Sequence, residues 1–214
     1  MKTQQITLVK EDVLSLGRKV SRQVVELSGL LVRSPGVSFE FIQKQEDEIN
    51  DLCLGIEEKC LDVLVEKQDL SPQEIRTVVG STLIAAKFER LSDHAYRTAK
   101  LITWILEDDV PIPEELAQMA NVIARMVEDV LVCFVSDAID RVPEISQRDS
   151  QVDYLHDMMH KRLLSDLGVQ DQEQAQTNTQ FLFCARYLER MGDLVGSIAR
   201  RIHFIVTGER MAQH

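Results

Sequence analysis

Two carboxylates, one helical turn apart, recur in this chain at an interval of 100 residues. FERLSDHAYRTAKLITWIL begins at Phe88 and LERMGDLVGSIARRIHFIV begins at Leu188. Without a gap they agree at six of nineteen positions: Glu89/Glu189, Arg90/Arg190, Asp93/Asp193, Ala99/Ala199, Ile102/Ile202 and Ile105/Ile205. Unrelated segments would agree at roughly one position, so the interval marks an internal repeat. Glu and Asp at i,i+4 lie on one face of a helix, where their charges repel mildly. A cation between them relieves that repulsion, and iron, magnesium or zinc accepts oxygen ligands of this kind. The competing reading is a solvated face. Arg97, Arg186 and Arg190 stand three or four residues from these acids, at ion-pair spacing.

A weaker echo at an offset of 103 residues adds further acids. Glu46-Asp47-Glu48-Ile49-Asn50 answers Asp149-Ser150-Gln151-Val152-Asp153, and the same offset aligns Glu26 with Asp129. Each half then offers acidic side chains from three helices. His156-Asp157-Met158-Met159-His160 resembles a zincin helix with Asp in place of the general-base Glu, and no third ligand accompanies it. A ferritin-like di-metal oxidase needs Glu-x-x-His from two helices, whereas Asp153-x-x-His156 and Asp157-x-x-His160 overlap on one. No P-loop, Gly-rich phosphate loop or nucleophile elbow occurs.

The elements that must carry these acids follow from punctuation and periodicity. Ser71-Pro72-Gln73-Glu74 is a capping box with proline at the first helical position. Ser34-Pro35-Gly36 is a turn, Pro111, Pro113 and Pro143 precede acidic first turns, and Gly168 and Gly208 are stops. These marks predict six helices, over 8–33, 38–68, 72–109, 114–141, 144–167 and 172–206. The fold class is all-α: two tandem three-helix bundles, residues 1–110 and 111–214, joined at Pro111-Ile112-Pro113. Ile84, Phe88, Leu91, Ala95, Thr98, Ile102 and Ile105 step by four and three, as do Cys184, Leu188, Met191, Val195, Ile198, Ile202 and Ile205. With those seams inside, the repeated acids fall on the outer face of each bundle. His94 and His203 have no evident partner.

Composition sets the remaining limits. The net charge of −11 argues against a nucleic-acid partner, and 44% hydrophobic residues suffice for a folded core. Neither a signal-peptide core nor a membrane span is present, which predicts a cytoplasmic protein. The four cysteines form no CxxC pair and read as thiols in a reducing compartment.

Ala185 to Glu209, ARYLERMGDLVGSIARRIHFIVTGE, resembles the closing helix of the PhoU family of phosphate-uptake regulators. FERLSDHAYRTAK is similar to the same motif in the first repeat, and IEEKCLDVLVEKQDLSPQEIR to the stretch leading into it. The resemblance implies multinuclear iron or zinc clusters on the bundle surfaces. It puts ligands at Glu89, Asp93, Glu189 and Asp193, with Glu46, Asp149 and Asp153 joining them; Glu26 and Asp129 come from the repeat alignment alone. It also implies a non-enzymatic, homodimeric regulator that contacts a phosphate ABC transporter ATPase and a sensor histidine kinase. An accessory of a sodium- or proton-coupled phosphate carrier and a carboxylate-ligated metalloenzyme are the alternatives. Asn50 stands where the family pattern has Asp, Ser92 where it has Gly, and Leu194 where it has His. The first bundle is therefore one anionic ligand short.

Overall fold

The computed structural model describes residues 2–66, 69–107, 110–166 and 172–211. Six α-helices account for nearly all of them: α1 (Lys2–Leu31), α2 (Phe39–Glu66), α3 (Pro72–Glu107), α4 (Glu114–Ser136), α5 (Val142–Asp166) and α6 (Gln172–Thr207). A single 3-10 turn, Ile139–Arg141, links α4 to α5. The capping box forms as its sequence dictates, with Glu74 accepting from the Ser71 N–H at 2.8 Å and Ser71 Oγ accepting from the Glu74 N–H at 3.2 Å. Gly208 ends α6 at φ +78°, and its N–H donates to the Phe204 carbonyl.

Two boundaries differ from expectation. Helix α1 begins at Lys2 and not at residue 8, because Ile6 and Val9 already bury against the core and extend the apolar stripe backwards. Helix α4 stops at Ser136 and not at 141, because Asp137 adopts the left-handed conformation (φ 53°) in which a short polar side chain is tolerated. The expected stop at Gly168 and the expected helix ends at residues 68, 109 and 167 lie outside the described residues.

Helices α1–α3 pack on one another, and so do α4–α6. The two sets join along α3 with α6, the most extensive pairing in the molecule, and along α1 with α4. Four helices thus form a central layer, while α2 touches only α1 and α3, and α5 packs on α4 and α6. Glycines allow the close approach across the join: a Cβ on Gly17 would strike Leu131, and one on Gly80 would strike Ile205. Both predicted seams are buried throughout, and one hydrophobic cluster runs through all six helices. Small buried residues flank those seams, namely Ala85, Ser92 and Ala99 on α3 and Ala185, Gly192, Gly196 and Ala199 on α6. Each of these helices has three helical neighbours, so more than one face is covered. Among the described residues, no helix is long and apolar enough to cross a membrane.

Candidate functional site

The acidic residues of the second repeat meet in the groove between α5 and α6. Asp149 on α5 lies directly on the α6 backbone. A Cβ at Gly192 would stand 2.8 Å from Asp149 Oδ1, and one at Gly196 would stand 3.2 Å from Oδ2. The two glycines are a seat for that carboxylate: a Cβ at Gly192 would force it to shift, and one at Gly196 would crowd it. Asp153 follows one turn later on α5, and Glu189 and Asp193 face the groove from α6. Burial pushes the Asp149 carboxyl up to about 6, helped by Asp153, Asp193 and Glu189 and opposed by Arg200. Asp153 is also raised, by burial and then by Asp193 and Asp157. Glu189 is raised by burial and then by Asp193, against Arg186 and Arg190. Like charges in a half-buried groove thus disfavour ionisation.

Arginines bind the outer oxygens of this group. Arg186 Nη1 is 2.9 Å from Glu189 Oε1, and Arg190 Nη1 is 3.5 Å from Asp193 Oδ2. The inner oxygens are less well served: Asp149 Oδ1 and Glu189 Oε2 are buried without a hydrogen-bond partner, and Arg190 Nε approaches Glu189 Oε2 only to 3.9 Å. The Glu189 side chain is 15% exposed and Asp193 49%, so Glu189 is more enclosed than an outer-face position implies. Its cover is α5, which the seam periodicity of α6 alone does not reveal. His156 lies close enough for its charge to act on Asp153 and Glu189, with Nδ1 3.5 Å from Asp157 Oδ1.

In the first repeat the corresponding groove lies between α2 and α3. Glu89 is raised by burial, then by Asp93 and Glu46, so these three acids share the groove. Two neighbours bind its other acids. Asn50 Nδ2 donates to Glu46 Oε1 at 2.7 Å, and Arg97 Nε reaches both Asp93 oxygens at 2.8 and 2.9 Å. Ser92 and Tyr96 occupy the positions of Gly192 and Gly196. Tyr96 stacks on Phe39 with ring centroids 5.5 Å apart, while Ser92 Oγ and Asn50 Oδ1 are buried without partners.

Neither first- nor fourth-helix acid joins these groups. Asp129 is ion-paired with Arg148 of α5, and Glu26 is half-buried on α1 without an ion pair or hydrogen bond among the described residues. The offset aligns the two in sequence, but neither is among the charges acting on Glu89, Asp149, Asp153 or Glu189. Sequence reasoning also missed two histidine contacts. His94 stacks on Tyr187 across the α3–α6 join at 5.5 Å, where burial lowers its pKa. His203 Nδ1 lies 3.2 Å from the Glu209 carbonyl at the end of α6.

As placed, no three His, Cys, Asp or Glu side chains among the described residues are arranged to hold a metal ion. The donor types of the α5–α6 groove nonetheless suit a hard cation, and its two orphaned oxygens are acceptors without donors. Binding there requires the carboxylates to turn from their arginines.

A family model for the PhoU domain matches residues 11–102 and again residues 116–202. The chain belongs to the PhoU family. A phosphate-specific transport system accessory protein PhoU homolog of Clostridium acetobutylicum is 28% identical over 201 residues, covering 94% of this chain and 91% of that protein. A homolog with the same description from Streptococcus pneumoniae is 28% identical over 205 residues, 94% of this chain and 93% of that protein. Among solved structures, PhoU from Pseudomonas aeruginosa superposes with a TM-score of 0.91 at 21% identity, covering 98% of this chain and all of that one. The phosphate transport system regulatory protein PhoU of Streptococcus pneumoniae gives 0.88 at 24% identity over the whole of both chains. Each acidic groove therefore falls inside one PhoU repeat, at equivalent places on the shared fold.

Proposed function

We propose that this chain is a non-enzymatic accessory of a phosphate transport system, damping phosphate uptake and the starvation response when phosphate is plentiful. It would work on the cytoplasmic side of the membrane, as a homodimer, by contact with the transporter's ATPase and with a sensor histidine kinase. The observation that carries this reading is whole-length similarity to PhoU accessory proteins across both repeats. The chemistry agrees with a contact function: the acids line half-buried helix grooves whose rim, Asp193 above all, is exposed to basic partner surfaces or cations. We place the division between repeats at residues 110 and 111.

Iron or zinc would be held principally by Asp149, Asp153, Glu189 and Asp193. Glu46, Glu89 and Asp93 would form a weaker counterpart, since Asn50 and Arg97 already satisfy much of that groove. A bound cation would supply charge neutralisation, offsetting the burial and the repulsion that raise Asp149, Asp153 and Glu189. Affinity capture of the tagged chain from phosphate-replete cells tests the partner assignment. Recovery of the ABC transporter ATPase or the kinase is expected. Recovery instead of a sodium- or proton-coupled phosphate carrier would reassign the chain to that transporter.

A further inference from the structure

The acidic excess of this chain is not uniform. Near the C-terminal end of α6, Ser197, Arg200, Arg201, Phe204, Arg210 and Met211 line an open pocket of about 230 Å³. Arg201 and Arg210 both lie over the Phe204 ring, 5.6 and 5.9 Å from its centroid, so one aromatic side chain positions two guanidinium groups. Lys87 and Arg90 on α3 add positive charge from the neighbouring helix. Burial lowers the Lys87 pKa, and Arg201, Arg90 and Arg200 lower it further. Among the described residues, none of these five cations forms a salt bridge. In a chain of net charge −11, these cations stand together without salt bridges; Arg200 lies near Asp149 and Arg90 near Glu89, which leaves Arg201 and Arg210 as the positive charge most available to a ligand.

We propose that this pocket binds a compact phosphate-bearing polyanion of the pyrophosphate type, with Arg200, Arg201 and Arg210 as its principal ligands. Guanidinium forks pair with phosphate oxygens in two-point fashion, and Ser197 offers a hydroxyl donor on the same wall. The concentration of positive charge favours a multiply charged anion over a single carboxylate. The volume is below the roughly 300–1,000 Å³ of pockets for drug-sized ligands, which favours a compact group. This inference goes beyond the accessory role; the pocket borders the α5–α6 acidic groove, since Arg200 on its wall also lies near Asp149.

The test is calorimetric titration of the full-length, chelator-treated protein with pyrophosphate, inorganic phosphate and sulfate. Removing cations beforehand prevents phosphate from being held through a metal at the carboxylates. Pyrophosphate is expected to bind more tightly than sulfate and to weaken at least tenfold in Arg201→Gln/Arg210→Gln. Arg210→Gln alone, beyond the helix end and losing only its contact with the Phe204 ring, should weaken binding severalfold with little change in the unfolding midpoint. A pyrophosphate affinity no better than that for sulfate, or unchanged in both variants, overturns the proposal. Binding to phosphatidylglycerol vesicles with no pyrophosphate binding also overturns it, and would make the patch a membrane contact.

Discussion

The two acidic grooves are copies that have parted. Both sit beside the same glutamate–aspartate pair, Glu89–Asp93 and Glu189–Asp193, on equivalent helices of a duplicated fold. In the second, Gly192 and Gly196 let Asp149 press against α6, and burial together with neighbouring carboxylates raises the pKa of Asp149, Asp153 and Glu189. In the first, Asn50 replaces the fourth acid, Tyr96 fills the second glycine's place, and Arg97 clamps Asp93. The lesson is one of frustration: a groove that keeps uncompensated charge has a use for a cation, and one that compensates it internally has less.

The strongest way to break this contrast is to fill the seat. Gly192→Val would drive its Cβ and methyl groups into Asp149 and Val152, and overpacking of this kind costs about 2–3 kcal/mol. Ser92→Ala, at the equivalent place, removes an unpartnered buried hydroxyl and should be neutral or stabilise by up to about 1 kcal/mol. Thermal unfolding of both variants measures the difference.

The next effect is electrostatic. A carboxyl raised from 3.8 to about 6 in the folded state binds its proton more tightly there than in the unfolded chain. Stability is therefore greatest below about pH 4 for this group, falls as pH rises through about 6, and stays lower above it. The full shift corresponds to about 3 kcal/mol, which solvent screening reduces to about 1–2 kcal/mol. Asp149→Asn should gain that amount at pH 7 in chelator, with the gain fading toward pH 4 in denaturant titrations.

Asn50→Asp would rebuild the second groove's pattern in the first. It replaces a 2.7 Å hydrogen bond to Glu46 with a like charge one turn away, at a cost of about 1 kcal/mol in chelator. Added iron or zinc should restore that loss. Smallest of all is Arg97→Gln. Its exposed ion pair with Asp93 contributes about 0.5 kcal/mol or less, so urea midpoints should barely move.

Much of this architecture was legible in the residues. The four-three steps of Phe88 to Ile105 and Leu188 to Ile205 are buried as written, and Ser71 and Glu74 cap α3 reciprocally. The end of α4 was hidden because Asp137 takes the left-handed conformation without the glycine that usually announces it. The Glu–Asp pair was visible from repetition, but its surroundings were not. Nothing local says that Arg148 takes Asp129, or that Gly192 and Gly196 exist to receive Asp149 from another helix. Those facts belong to tertiary packing, where a sequence offset places residues in register without saying which way their faces turn.

Elemental analysis of the full-length protein, loaded with iron or zinc and then desalted, tests the asymmetry most directly. The account predicts that Asp149→Asn/Asp193→Asn loses most of the bound metal, while Glu89→Gln/Asp93→Asn retains most of it. Equal loss from the two variants, or greater loss from the first-repeat pair, would contradict it.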